Sequence, residues 1–200
     1  MHLEIDLHIL LRMSIGKGID SMILRQLKEK DADGMLEWMH DSDIQKCFRV
    51  DMSSRKRRDV IAFINTSTVQ VVDGGSIHYA ITDEDDEYLG TISLKDIDLS
   101  ARNAEFAISL RKMAQGKGVA VSATKELLNI AFNTYNFERV YLNVLAENQR
   151  AIHLYEKCGF VYEGEFRKHL FLNGEFKSLK WYSMLREEYL IKFDEESKEL

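Results

Sequence analysis

Gln115-Gly116-Lys117-Gly118-Val119-Ala120 stands between Ala104 to Leu110, an apolar run with the character of a strand, and Val119 to Phe132, whose apolar residues recur at helical spacing. That order puts two glycines at the start of a helix. A helix start presents unpaired backbone N–H groups and the positive end of the dipole, so it holds a phosphate without any basic side chain. Two familiar phosphate loops fail on spacing. A Walker A loop needs a Gly with four residues between it and the Gly-Lys pair, where Arg111 stands; a dinucleotide fingerprint needs a third Gly, where Val121 stands.

A second stretch follows at a fixed remove, after a helix and a strand: Asn148-Gln149-Arg150-Ala151-Ile152-His153-Leu154-Tyr155-Glu156-Lys157-Cys158-Gly159-Phe160. The pattern Gln-x-x-Gly-x-Ala, met by Gln115, Gly118 and Ala120, is weak alone. A similar Gly16-Lys17-Gly18 near the N-terminus has no strand before it. The two patterns in order resemble the GNAT superfamily of N-acetyltransferases, which bind acetyl-coenzyme A, over roughly Met22 to Leu190.

The resemblance implies an α/β (α+β) domain of the GNAT fold, with a single mixed, mostly antiparallel twisted sheet flanked by helices. It also implies transfer of an acetyl group from acetyl-coenzyme A directly to a primary amine, with no covalent enzyme intermediate. By position it assigns Ile108, Ser109 and Leu110 to the pantetheine arm through backbone atoms, on a strand that splays from its neighbour. Gln115, Gly116, Lys117, Gly118, Val119, Ala120 and Val121 then surround the pyrophosphate, with Asn148, Ala151 and Lys157 on the other side. It assigns Tyr155 as the acid that protonates the departing thiolate. Many relatives carry a proline shortly before the phosphate loop; here Arg111-Lys112-Met113-Ala114 takes its place, and the loop's approach is expected to differ slightly.

The chemistry poses two proton problems. An amine with an ordinary pKa near ~10.4 is free base in only about one molecule per thousand at neutral pH, and a thiolate whose acid has a pKa of roughly 8.5 leaves more readily beside a donor. Glu105 is the expected base, directly or through a water. It lies inside the strand Asn103 to Leu110, sharing a face with Ala107 and Ser109 and opposite Phe106 and Ile108. The alternatives are a carboxylate that holds the substrate ammonium or pairs with a neighbouring Arg, and for Tyr155 a core tyrosine with a satisfied hydroxyl. A backbone N–H of Ile108 to Leu110 is the expected donor to the carbonyl oxygen.

At 200 residues, 45% of them hydrophobic, the chain suffices for one domain with a full core. Residues 1–21 lack periodicity and are expected as an N-terminal extension, 22–190 as the N-acetyltransferase domain, and 191–200 as a charged tail. No apolar run reaches membrane-span length, so the protein is expected in the cytoplasm. Cys47 and Cys158 are expected free. The formal charge of −6 argues against nucleic acid and suits a cationic substrate. The six histidines show no zinc-site spacing, no Gly-x-Ser-x-Gly elbow occurs, and no metal is expected. The expected partners are a small-molecule or peptide amine and, as an open option, a second copy in a homodimer. The rival class is an acetyl-coenzyme A sensor that acetylates nothing.

Asp31 or Asp33 is expected to cap a helix carrying Met35, Leu36, Trp38 and Met39, and Ser53 or Ser54 one carrying Val60, Ile61 and Ile64. By resemblance this pair lines the acceptor cleft, making Trp38, His40, Asp41 and Phe48 candidate substrate contacts; core packing is the alternative for Trp38 and Phe48. The acidic turn Thr82 to Glu87 either steers a polyamine or is simply solvated. Asn173-Gly174 marks the turn of a hairpin running from Phe160 to Tyr189. That hairpin is similar to those of spermidine, ribosomal-protein N-terminal and amino-sugar acetyltransferases, and the segment Leu36 to Asp41 looks slightly more like the amino-sugar group.

Overall fold

The computed structural model describes residues 22–196 other than 49 and 173, with the side chains of 193–196 also left aside. The proposed extension at residues 1–21, the end of the tail and Asn173 lie outside the described residues. Seven strands form one sheet: β1 (Ile23–Gln26), β2 (Ile77–Thr82), β3 (Tyr88–Asp98), β4 (Asn103–Leu110), β5 (Arg139–Leu145), β6 (Val161–Leu172) and β7 (Glu175–Leu185). Their order is β1-β2-β3-β4-β5-β7-β6, with every pairing antiparallel except β4 with β5. The mixed, mostly antiparallel sheet expected from the sequence is therefore present.

Helices α1 (Ala32–His40), α2 (Ser42–Gln45) and α3 (Arg57–Thr66) intervene between β1 and β2; α4 (Val119–Asn129) follows β4, α5 (Gln149–Cys158) follows β5, and α6 (Arg186–Glu196) ends the described chain. Alternation in β2 shows how the layers stack. Tyr79 and Ile81 join a core with α4 and α5, whereas Ala80 between them joins a smaller core with Met35 and Trp38 of α1 and Val60 of α3. The sheet thus buries both faces. Along α4, Ala123, Leu127 and, just beyond its end, Ala131 are fully buried, the stripe set by helical spacing.

Two expected caps differ. Asp31 makes no side-chain cap of α1; its carboxylate instead takes a two-pronged hydrogen bond from Arg25, at 2.7 and 2.8 Å. α3 begins after Lys56, whose backbone N–H donates to Asp59 Oδ2 at 2.9 Å, so neither Ser53 nor Ser54 is its cap. The closing hairpin also stops short of Tyr189. β7 ends at Leu185, and Tyr189 sits on α6, buried against Phe132 at 4.9 Å between ring centroids.

Candidate active site

β4 and β5 pair only at Asn103 with Arg139, Ala104 with Val140 and Glu105 with Tyr141. Beyond Glu105 the strands part, while β4 stays paired with β3 up to Leu110. Each residue of a strand interior offers its N–H and C=O to one side, in alternation. Alternate amides of Phe106 to Leu110 therefore face a gap that no strand among the described residues fills.

Two cavities flank this gap. One, of about 610 Å³, is lined by the end of β4, the loop before α4 and the start of α5. The other, of about 480 Å³, lies between the polar face of the sheet and the apolar sides of α1, α3 and the segment joining α2 to α3. Phe48, Ile108, Ser109 and Tyr155 line both. The cavities meet at the Tyr155 side chain.

The larger cavity has the features of an anion cradle. Gly118 caps α4 in the left-handed conformation, φ 82°, and Gly116 has φ 74°. A Cβ at either glycine would meet nothing within 4 Å, so the loop is open where a ligand would approach. The first backbone bonds into α4 run from Val121 N and Ser122 N to Gly118 O, at 2.9 and 3.1 Å. The amides of Val119 and Ala120 have no backbone acceptor among the described residues. Gln115 ties the walls together: its Nε2 donates to Leu110 O at 3.1 Å, and its Oε1 accepts from Arg150 Nη1 of α5 at 2.6 Å. Asn148 caps α5 by accepting from Ala151 N at 3.2 Å, and Gly159 ends it with φ 98°.

Of the thirteen residues expected around the cofactor, Ile108, Ser109, Leu110, Gln115, Gly116, Gly118, Ala120, Val121, Asn148, Ala151 and Lys157 line this cavity. Lys117 and Val119 line neither cavity: Lys117 points to solvent and the Val119 side chain is core. The candidates of the helical pair scatter. Trp38 lines the smaller cavity, stacked on Phe48 at 5.4 Å and donating from Nε1 to Tyr88 OH at 3.0 Å. Asp41 lies on the larger cavity and caps α2 with its side chain. His40 lies on neither and its Nε2 meets Arg55 O at 2.9 Å.

Tyr155 is buried, its ring edge-on to Phe106 and Phe160, and burial raises its phenol above the ordinary tyrosine value. It stays protonated. Glu105, on the floor of the smaller cavity, accepts from Lys95 Nζ at 3.1 Å and from Asn143 Nδ2 at 3.4 Å through the same Oε1.

Strand register assembles that floor. His78 pairs with Ser93, Ser93 with Ala107, Lys95 with Glu105, and Glu105 with Tyr141, placing these side chains on one face. His78 Nδ1 meets Ser93 Oγ at 2.7 Å; burial, reinforced by Lys95, lowers its pKa to about 4, so the ring is neutral near pH 7. Sequence reading passed over His78, Ser93, Lys95 and Asn143. Period-two alternation puts Ser93 and Lys95 on one face, but only the register brings them to Glu105.

A family model described as an acetyltransferase (GNAT) domain matches residues 21–161. The spermidine N(1)-acetyltransferase of Vibrio cholerae serotype O1 is 35% identical over 118 residues, which are 59% of this chain and 68% of that protein. The spermidine N(1)-acetyltransferase of Escherichia coli strain K12 is 37% identical over 106 residues, 53% of this chain and 57% of that one. The crystal structure of the V. cholerae spermidine N-acetyltransferase in complex with CoA and spermine matches with a TM-score of 0.76 at 28% identity, covering 85% of this chain and 98% of that one.

Proposed function

Because the chain belongs to the GNAT acetyltransferase family, whose enzymes use acetyl-coenzyme A, we propose that its two cavities serve the two substrates of an N-acetyltransferase: acetyl-coenzyme A in the larger and a primary amine of a small molecule or peptide in the smaller. The observation that carries this reading is the junction at Tyr155, where the cavities share Phe48, Ile108, Ser109 and Tyr155.

The larger cavity suits coenzyme A in two respects: an open, glycine-lined helix start for the pyrophosphate, and an unpaired strand edge for a pantetheine amide. When bound, acetyl-coenzyme A supplies the activated acetyl group. The chain's own residues then hold, orient and move protons. The β4 edge from Ile108 to Leu110 orients the arm and offers an amide to the carbonyl oxygen. Tyr155 holds a proton at its hydroxyl for the leaving sulfur. Glu105 takes the proton that the amine must lose, directly or through a water. Its pairing with Lys95 keeps that carboxylate in contact with a cation, a separate demand on the same group.

The proposal extends to a cytoplasmic protein that binds no nucleic acid, and to a homodimer as an open arrangement; the free thiols of Cys47 and Cys158 suit a reducing compartment. No helix among the described residues is long and apolar enough to cross a membrane. The test is thiol release from acetyl-coenzyme A against polyamines, amino sugars, amino acids and peptides, run beside Tyr155→Phe. Acetylated product from at least one amine, lost in the variant, is expected; cofactor binding with no turnover of any amine would leave only a sensor.

A further inference from the structure

The smaller cavity is described above only as the amine's place, and its walls say more. Its roof is apolar: Met35, Trp38 and Met39 from α1, Phe63 from α3, and Phe48 and Met52 from the segment between. Most of its polar groups are on the floor, while Arg55 and Asp59 come from the helical side. Of the two carboxylates that line it, Asp59 accepts from the Lys56 backbone amide as part of the α3 start, and Glu105 is paired with Lys95. Arg55 and Lys95 line the same space, so the side-chain charges of the described residues balance. Asn143 gives Glu105 its Nδ2, while its Oδ1 is buried with no hydrogen-bond partner among the described residues.

This is one polar seat beneath an apolar vault. A desolvated ammonium needs an anion or several oxygens as partners. Glu105 suits one nitrogen. A second and third ammonium on the same molecule would lie against methionine and aromatic side chains, beside Lys95, or at Asp59, whose oxygens are already engaged by the Lys56 amide and by Arg58 at 3.6 Å. The acidic turn before β3 does not fill the need: none of its carboxylates lines this cavity, and Asp86 is held by Arg25, Lys28 and Lys30, and Glu87 by Arg111.

Resting on the acetyl-transfer reading above, we infer that the acceptor is a monoamine carried on an apolar body, an aryl-alkyl or long alkyl amine or the α-amine of a residue with a large apolar side chain, and not a polyamine. The chain shares its framework with spermidine acetyltransferases but lines this cavity for a different cargo.

The experiment compares kcat/KM for 2-phenylethylamine, hexylamine, phenylalanine amide, phenylalanine and spermidine, using the full chain with acetyl-coenzyme A and following thiol release. At least one apolar monoamine is expected to exceed spermidine by about tenfold or more, equivalent to one polar contact. Phenylalanine against its amide tells whether a carboxylate beside Arg55 helps. Spermidine as the better substrate overturns the acceptor assignment and leaves acetyl transfer standing. Acetyl-coenzyme A binding with no amine turned over removes both. Lys95→Met removes one cation from beside Glu105, so the ratio of spermidine to 2-phenylethylamine should rise by about tenfold; an unchanged ratio in a folded variant contradicts the inference. Met52→Glu, on the half-buried connecting segment, adds a carboxylate to the roof and should move the ratio the same way, which keeps the comparison available if the Lys95 variant does not fold.

Discussion

The ring of Tyr155 meets that of Phe106 edge-on, with centroids 5.9 Å apart and planes at 83°. Phe106 is the first β4 residue beyond the last pairing with β5, so the residue at which the sheet opens also orients the proposed acid. Tyr155→Phe keeps this contact and removes only the hydroxyl. Because burial raises the phenol above its usual value of roughly 10, the parent should show no loss of rate from phenol ionisation between pH 7 and about 10. The variant should lose kcat by a factor on the order of 10² or more across that range, with coenzyme A affinity unchanged. Steady-state rates and a calorimetric titration check this; equal rates at every pH would remove Tyr155 from the chemistry.

Gly90 of β3 backs the β4 edge on its other side. A Cβ there would come within 2.3 Å of Ser109 O and 2.6 Å of Leu110 Cδ2, and the first of these is backbone that cannot turn aside. Gly90→Ala must push β4 toward the gap. Overpacking of this kind costs about 1–3 kcal/mol, and because Ser109 lines both cavities the coenzyme A affinity should fall as well. Thermal melting with a coenzyme A titration reads both. A variant that melts lower yet binds unchanged would show that the edge tolerates displacement.

How far the sequence foretold this arrangement depends on the range of the interactions involved. β4 has the bounds, Asn103 to Leu110, within which the sequence alternates, and Asn148 and Gly159 bracket α5 as local cap chemistry requires. The site loop was legible for the same reason: its glycines, cap and flanking elements are neighbours in the chain. Three features were not. α6 carries little apolar periodicity, Tyr189 is the one buried residue among its described side chains, and so the stretch reads as hairpin end and charged tail. The start of α3 is bonded backwards, from the third helical residue Asp59 to Lys56 N, and serine at the expected position was the more familiar cue. Lys95 reaches Glu105 only through the β3–β4 register, a pairing between strands that composition does not specify.

His78 gives the protein an acid-sensitive stability. Its folded pKa, lowered to about 4 by burial and by Lys95, lies below the ordinary 6.5 of an unfolded histidine. Above pH 6.5 both states carry a neutral ring and its contribution is fully present. Between 6.5 and 4 the unfolded chain binds a proton that the folded chain refuses, so stability falls as pH falls, with a slope of up to about 1.4 kcal/mol per pH unit from this one group. Chemical denaturation at pH 7, 6, 5 and 4.5 should show that decline, and His78→Asn should flatten it. A parent and variant with parallel curves would place the sensitivity elsewhere.

The last element is part of the core, and its removal should be felt there. Tyr189 is 2% exposed, its ring lies 4.9 Å from that of Phe132 at 34°, and its hydroxyl is 3.4 Å from Asn129 Oδ1. Arg186, at the start of the same helix, donates to the backbone carbonyl of Phe132, and Glu188 accepts from Leu185 N at 2.8 Å, fixing the turn out of β7. Tyr189→Ala would leave a ring-sized hole beside the end of α4, which costs about 3–5 kcal/mol where the surroundings cannot collapse. That loss is a large share of the usual stability of a domain this size, about 5–15 kcal/mol. Tyr189→Phe keeps the ring and should cost about 1 kcal/mol or less, since the hydroxyl contacts to Asn133 and Asn129 are long. Denaturant midpoints for the two variants separate packing from hydrogen bonding; an alanine variant as stable as the phenylalanine one would mean that α6 only rests on the surface.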